Sequence, residues 1–289
     1  MADAYDLILK GATVVNHDGT GVRDIAVSNG RIAAISTAAE PVTGNAPDVI
    51  DCSGLHILPG VIDSQVHFRE PGLTHKGDIC SESRAAVAGG VTSYMEMPNT
   101  QPQTTTLDLL EEKYARAAAV SAGNFSFYLG ATNDNLEEIK RIDNSRVCGL
   151  KVFMGSSTGN MLVDDEQTLR AIFSSAPCVI TTHCESTPMI NANLERAVAL
   201  YGNRIPVSEH PQIRNRETCL VSSTLAVKLA KEYGSQLHIL HLSTADELAL
   251  LDKGPVAANT SRLRLVYITC ILTALIMRSL AISSSAILL

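Results

Sequence analysis

The sequence predicts a parallel α/β fold, on three observations. Near-continuous apolar runs rich in branched residues recur along most of the chain, helical stretches fall between most of them, and a different, hairpin-like rhythm fills the part before Leu58. With 289 residues, 45% hydrophobic and 18% charged, the chain can bury one large core, or a core with a small satellite. The same figures exclude a disulfide-stapled miniprotein and a disordered chain.

The first elements are short. Residues 6–11, 13–15, 24–27 and 31–35 read as strands, and Asp18-Gly19 and Asn29-Gly30 between them favour tight hairpin turns. This β unit ends near Ile57 and is too small for a large core of its own. From Leu58 the strand candidates are residues 58–68, 90–98, 125–131, 149–154, 178–184 and 236–243, with helices at 109–122, 165–173 and 218–233. Six such strands fit either an open sheet or a (β/α)8 barrel lacking its last two units. There is no glycine-rich phosphate loop after an early strand, so nucleotide folds lose their usual support.

Charge narrows the partners. A net charge of −7 argues against a general nucleic-acid or anionic-membrane binder and leaves a small-molecule substrate as the expected partner. Seven cysteines without paired spacing read as reduced thiols, and acidic residues occupy the N-terminus where a signal peptide needs basic ones, so a cytoplasmic protein is expected. Beyond Asp252 the charged residues are Lys253, Arg262, Arg264 and Arg278. The uncharged runs 265–277 and 279–289 are each shorter than the roughly 20 residues a membrane span needs.

Polar residues of catalytic type stand at the ends of the predicted strands. His67, His183 and His241 would supply imidazole nitrogens, suitable zinc ligands, from three strands, and Gln65 alternates with His67 on one strand face. A histidine of this sort taken alone is usually just a hydrogen-bonded strand-end residue, and it is the set of three that points to a metal. His238 and His241 are three apart, so on a strand they face opposite ways. Lys151 lies in an apolar strand, where it is either a snorkelling or salt-bridged lysine or a buried amine able to take up carbon dioxide as a carbamate. Arg69 can grip a carboxylate bidentately and Asn99 can add a hydrogen bond, although Glu70-Pro71-Gly72 is also a turn signal. The 154–160 stretch reads as a substrate-facing loop or a plain Gly/Ser turn.

The stretches Gly60-Val-Ile-Asp63, Val66-His67-Phe-Arg69-Glu-Pro-Gly72, Gly89-Gly-Val-Thr92, Met97-Pro-Asn-Thr100, Gly149-Leu-Lys151-Val-Phe-Met154, Thr182-His183-Cys-Glu185 and Leu240-His241-Leu-Ser-Thr244 carry a family likeness. The sequence resembles the dihydroorotases of the amidohydrolase superfamily, with allantoinases as the runner-up. The resemblance covers roughly residues 5–258. It implies an incomplete (β/α)8 TIM barrel of the metal-dependent hydrolase type at 58–258, with residues 1–57 as a small N-terminal β-sandwich portion and 259–289 as a divergent apolar tail. It further implies a zinc site of one or two ions held by His67, a carbamylated Lys151, His183 and His241, substrate carboxylate binding by Arg69 and Asn99, and reversible interconversion of N-carbamoyl-L-aspartate and L-dihydroorotate. A homodimer is left open.

Three departures accompany the likeness. Gln65 replaces the first histidine of the strand-one pair, and amide oxygen is a poorer zinc ligand than imidazole. The proton-shuttling aspartate of strand eight has no counterpart, so no residue is expected in that catalytic role. Likeness fails after about Asn259, and back-translation of the tail in another frame resembles the family's continuation, so an out-of-frame tail is expected. A barrel stopped after six strands exposes sheet edges. Unless the tail fills that gap, the expectation is low solubility and little hydrolase activity, which leaves a catalytically silent binding or scaffold protein as the other reading.

Overall fold

Short runs of branched residues parted by tight turns build the first of two compact units, Met1–Val61. The strands are β1 (Asp3–Ala4), β2 (Leu7–Asn16), β3 (Gly19–Ser28), β4 (Arg31–Ile35), β5 (Gly44–Asn45), β6 (Asp48–Asp51) and β7 (His56–Ile57). Asn29 and Gly30 both take positive φ, 52° and 70°, which matches the twist of the β3–β4 hairpin they close. Gly11 sits at a register shift in β2, and its N–H donates to Asp24 Oδ1 at 2.8 Å. The sheet order is β4-β3-β2-β6, with β7 also pairing β2, and β6 and β7 both run parallel to β2. Ala12, Val14, Ile25 and Cys52 form its buried core.

The computed structural model describes residues 3–37, 39–155 and 159–251. Residues 156–158 of the predicted loop, and the tail from 252 with its divergent and out-of-frame readings, lie outside the described residues. Among the described residues, no helix is long and apolar enough to cross a membrane.

The second unit, Ile62–Leu289, alternates strands and helices. In order these are β8 (Val61–Val66), α1 (Ile79–Ala88), β9 (Val91–Glu96), α2 (Leu107–Val120), β10 (Asn124–Gly130), α3 (Leu136–Lys140), β11 (Gly149–Phe153), α4 (Glu166–Ser175), β12 (Ile180–His183), α5 (Thr187–Tyr201), α6 (His210–Ile213), α7 (Arg216–Tyr233) and β13 (Leu237–Ile239). Asp78, Thr106, Asp165 and Asn215 cap the starts of α1, α2, α4 and α7 by accepting a main-chain N–H three residues on. The six strands lie side by side in chain order, and the pairs from β9 to β13 are parallel. This is an arc of a parallel barrel, in agreement with the fold class read from the sequence. Phe127, Leu129, Leu150, Val152, Ile180, Leu237 and Ile239 face the helices, where they pack with Leu110, Ile172, Phe173 and Leu229.

Two strand readings were too long. The run 58–68 contains only β8, because His56–Ile57 pairs with β2 and the chain re-enters a sheet at Val61. The run 236–243 is a strand only over Leu237–Ile239, because His241 takes a φ of 35° that extended backbone does not allow. His238 and His241 therefore do not share a strand, and alternation does not relate them.

Candidate metal and substrate site

Alternation along parallel strands decides which side chains meet. Gly130, Lys151, Thr181 and His238 stand in register across β10, β11, β12 and β13, and Phe153 stands beside His183. Their neighbours in sequence face the helices, so this row occupies the opposite face of the sheet. Gly130 leaves room beside Lys151 that other residues fill: a Cβ there would lie 2.4 Å from Met161 Cε and 3.1 Å from Pro98 Cγ.

Lys151 is 1% exposed, and its Nζ lies 4.4 Å from the Phe153 ring centre. Burial pushes its pKa down to about 7, so the neutral amine is a major species at neutral pH. A neutral amine is the form that adds to carbon dioxide.

His183 ends β12, and His241 follows β13. Nδ1 of His183 and Nε2 of His241 are 3.0 Å apart, with ring centroids 4.7 Å apart. The other nitrogen of His183, Nε2, lies 2.6 Å from Glu185 Oε2. A carboxylate only accepts, so Nε2 carries the proton and Nδ1 presents its lone pair toward His241. Arg214, at the end of α6, grips the same carboxylate through Nε at 2.8 Å and through Nη2. Burial alone would raise Glu185, but hydrogen bonds from His183 and Arg214 overcome it and hold the carboxyl at about 2. Burial lowers His183, and it lowers His241 to about 3 with help from the His183 and Lys151 charges. Both rings are neutral at neutral pH, the form in which imidazole binds a metal.

His67 lies one residue beyond β8, so its place is set by a contact rather than by strand alternation. Its Nδ1 is 2.9 Å from Asn99 Oδ1, a bond that joins the loops after β8 and β9. Burial, then the charges of Arg69 and Lys151, push His67 to about 3. A positive charge on Lys151 lowers His67, His183 and His241 alike. Arg69 is half-buried beside this group with a φ of 69°. Gln65 is half-buried, and its main-chain N–H donates to Asp63 Oδ1 at 3.0 Å. Among the described residues, no three His, Cys, Asp or Glu side chains stand together as a cage for a metal. The donor set on offer is the His183–His241 pair beside Lys151.

Sequence reasoning places Glu185 within a motif without a role and assigns nothing to Arg214. The signal for Glu185 was its spacing of two from His183, which returns a side chain to the same side. Arg214 carried none, because only the fold brings α6 against the loop after β12. Gly155 fixes that neighbourhood: a Cβ on it would lie 2.2 Å from the Glu185 carbonyl oxygen.

The profile of the dihydro-orotase-like family matches residues 54–247. An allantoinase of Desulfitobacterium hafniense is 34% identical over 252 residues, covering 86% of this chain and 55% of that protein. An L-hydantoinase of Paenarthrobacter aurescens is 33% identical over 252 residues, covering 86% and 54%. A dihydroorotase of Halobacterium salinarum is 34% identical over 232 residues, covering 78% and 51%. The chain thus spans about half the length of these curated relatives. Among solved structures, an L-hydantoinase (dihydropyrimidinase) of Arthrobacter aurescens superposes with a TM-score of 0.81 at 29% identity, over 90% of this chain and 58% of that one.

Proposed function

This chain belongs to the dihydroorotase-like family of cyclic amidohydrolases, and on that premise we propose that its site binds and hydrolyses a cyclic amide with the help of zinc. The observation that carries the reading is the His183–His241 pair, two neutral imidazoles with ring nitrogens 3.0 Å apart. Glu185 already occupies the far nitrogen of His183, the outer partner that metal-binding histidines commonly have. These residues fit a zinc ion. His183 and His241 would hold it, Lys151 as a carbamate would add an anionic oxygen, and His67 would serve a second position where Gln65 is the weaker neighbour. Zinc bound there supplies a Lewis acid that polarises the ring carbonyl.

The protein's own groups do the rest. Arg69 offers a planar pair of donors to a substrate carboxylate. Asn99, by accepting from His67 Nδ1, leaves Nε2 of that ring as the lone-pair nitrogen. Lys151, buried against Phe153, is kept from water so that its amine stays reactive.

L-dihydroorotate is the first substrate to test, because Arg69 calls for a carboxylate. Allantoin is the second, because an allantoinase is as similar to this chain as the dihydroorotase is. A catalytically silent binding role stands beside these, favoured by Gln65 in place of a histidine. The full chain, purified in zinc and bicarbonate, is analysed for metal and then assayed for opening of each ring. Retained zinc with ring opening that is lost in His183→Ala supports the hydrolase. Retained zinc without turnover supports the binding role, and absence of zinc refutes the reading.

A further inference from the structure

A costly arrangement in the second unit lies behind the loops that carry Arg69 and Asn99. Glu96, the last residue of β9, and Lys113, in the middle of α2, form an ion pair whose side chains are each 1% exposed. Two charges withdrawn from water in this way are seldom a gain in stability over apolar residues of similar size. A positional role explains the pair better.

Its other contacts indicate that role. The Lys113 ammonium also donates to the carbonyl oxygen of Met97 at 3.0 Å, two residues before Asn99. It lies 5.2 Å from the centre of the Phe127 ring, which closes its other side. On the Glu96 side, the N–H of Met97 donates to the carbonyl oxygen of Val66 at 3.0 Å, which sets the end of β9 against the start of the loop that carries Phe68 and Arg69. The main-chain N–H groups of those two residues oppose the burial that raises the Glu96 carboxyl. Neither Glu96 oxygen closes a hydrogen bond of full geometry, so the attraction is largely between charge and dipole. Arg69 has a φ of 69°, a conformation non-glycine residues keep only when their surroundings impose it.

We propose that the buried Glu96–Lys113 pair is a positioning device that fixes Arg69 and Asn99 for the substrate carboxylate, with Glu96 holding the loop after β8 and Lys113 the loop after β9. Neither residue touches the substrate. The carboxylate part of the inference rests on the function proposed above, whereas the loop-fixing part does not.

The test replaces the pair by apolar residues of similar size, Glu96→Leu with Lys113→Met, in the full chain. The device predicts an unchanged or higher melting temperature, because two buried charges are gone. It also predicts amide hydrogen exchange at Phe68, Arg69 and Asn99 faster by about tenfold or more, and L-dihydroorotate binding weaker by about tenfold. A purely structural pair would leave local exchange and affinity unchanged once stability is retained, and that result overturns the proposal. Glu96→Gln keeps the size and removes one charge. Should the double variant not fold, this single variant must show the faster exchange at Phe68 and Arg69, and normal exchange there is equally fatal. Arg69→Gln separates the two readings: if it binds the ligand normally while the amides still respond to the pair, the substrate reading fails and the carboxylate part of this inference falls with it.

Discussion

The two wings of the site solve the same problem in opposite ways. In the β11–β13 wing the charges face the reactive groups: Glu185 contacts His183 directly and Arg214 closes over it. In the β8–β9 wing the group touching His67 is the neutral amide of Asn99, and the charges of Glu96 and Lys113 are set behind the loops against α2. A carboxylate on an imidazole raises its basicity and fixes its tautomer, which serves a metal ligand. Charges behind a loop leave the pocket side open to an incoming anion, which serves recognition. Under the function proposed above, the first wing is the one that takes the cation and the second the one that takes the substrate.

Unequal responses to matched substitutions would sharpen this contrast. The largest effect is expected for metal binding: His183→Ala or His241→Ala abolishes measurable zinc retention in equilibrium dialysis, whereas His67→Ala leaves one equivalent. Equal losses from all three would erase the distinction. Next, Glu185→Gln weakens zinc binding by about 10- to 100-fold, the usual cost of an outer partner. The same residue sets an acid limit. Because Glu185 is held at about 2 rather than its ordinary 4.5, its stabilising contribution is complete above the ordinary value and drains away as pH falls toward 2. Acid unfolding of the metal-free chain should therefore be shallower between those values in Glu185→Gln, and an unchanged acid limb would show that the carboxylate bears no folding role. The smallest effect belongs to the other wing: Asn99→Ala costs about 1 kcal/mol in binding of L-dihydroorotate, one hydrogen bond's worth, with zinc content unaltered. Titration calorimetry reads both quantities.

What was legible in the sequence follows from how each residue is placed. His183 and Lys151 were readable because they lie on β12 and β11, where apolar alternation sets the side they face. The hairpin at Asn29-Gly30 was readable because its backbone demands that dipeptide. His241 was read as a strand residue, whereas a turn of positive φ sets its ring beside His183. The pairing of Glu96 with Lys113 was not legible because a glutamate ending one strand and a lysine in a distant helix have no shared period. Only the fold, which brings the middle of α2 within reach of the end of β9, makes them partners. Arg214 was missed for the same reason.

The contact at Gly155 carries a mechanical consequence. With no room for even a methyl group between the segment leaving β11 and the carbonyl of Glu185, neither segment can move toward the other without displacing it. A molecule that presses the chain just past Lys151 toward that carbonyl would therefore displace the residue whose carboxylate holds His183, so that occupancy on one side is felt as a change of grip on the other.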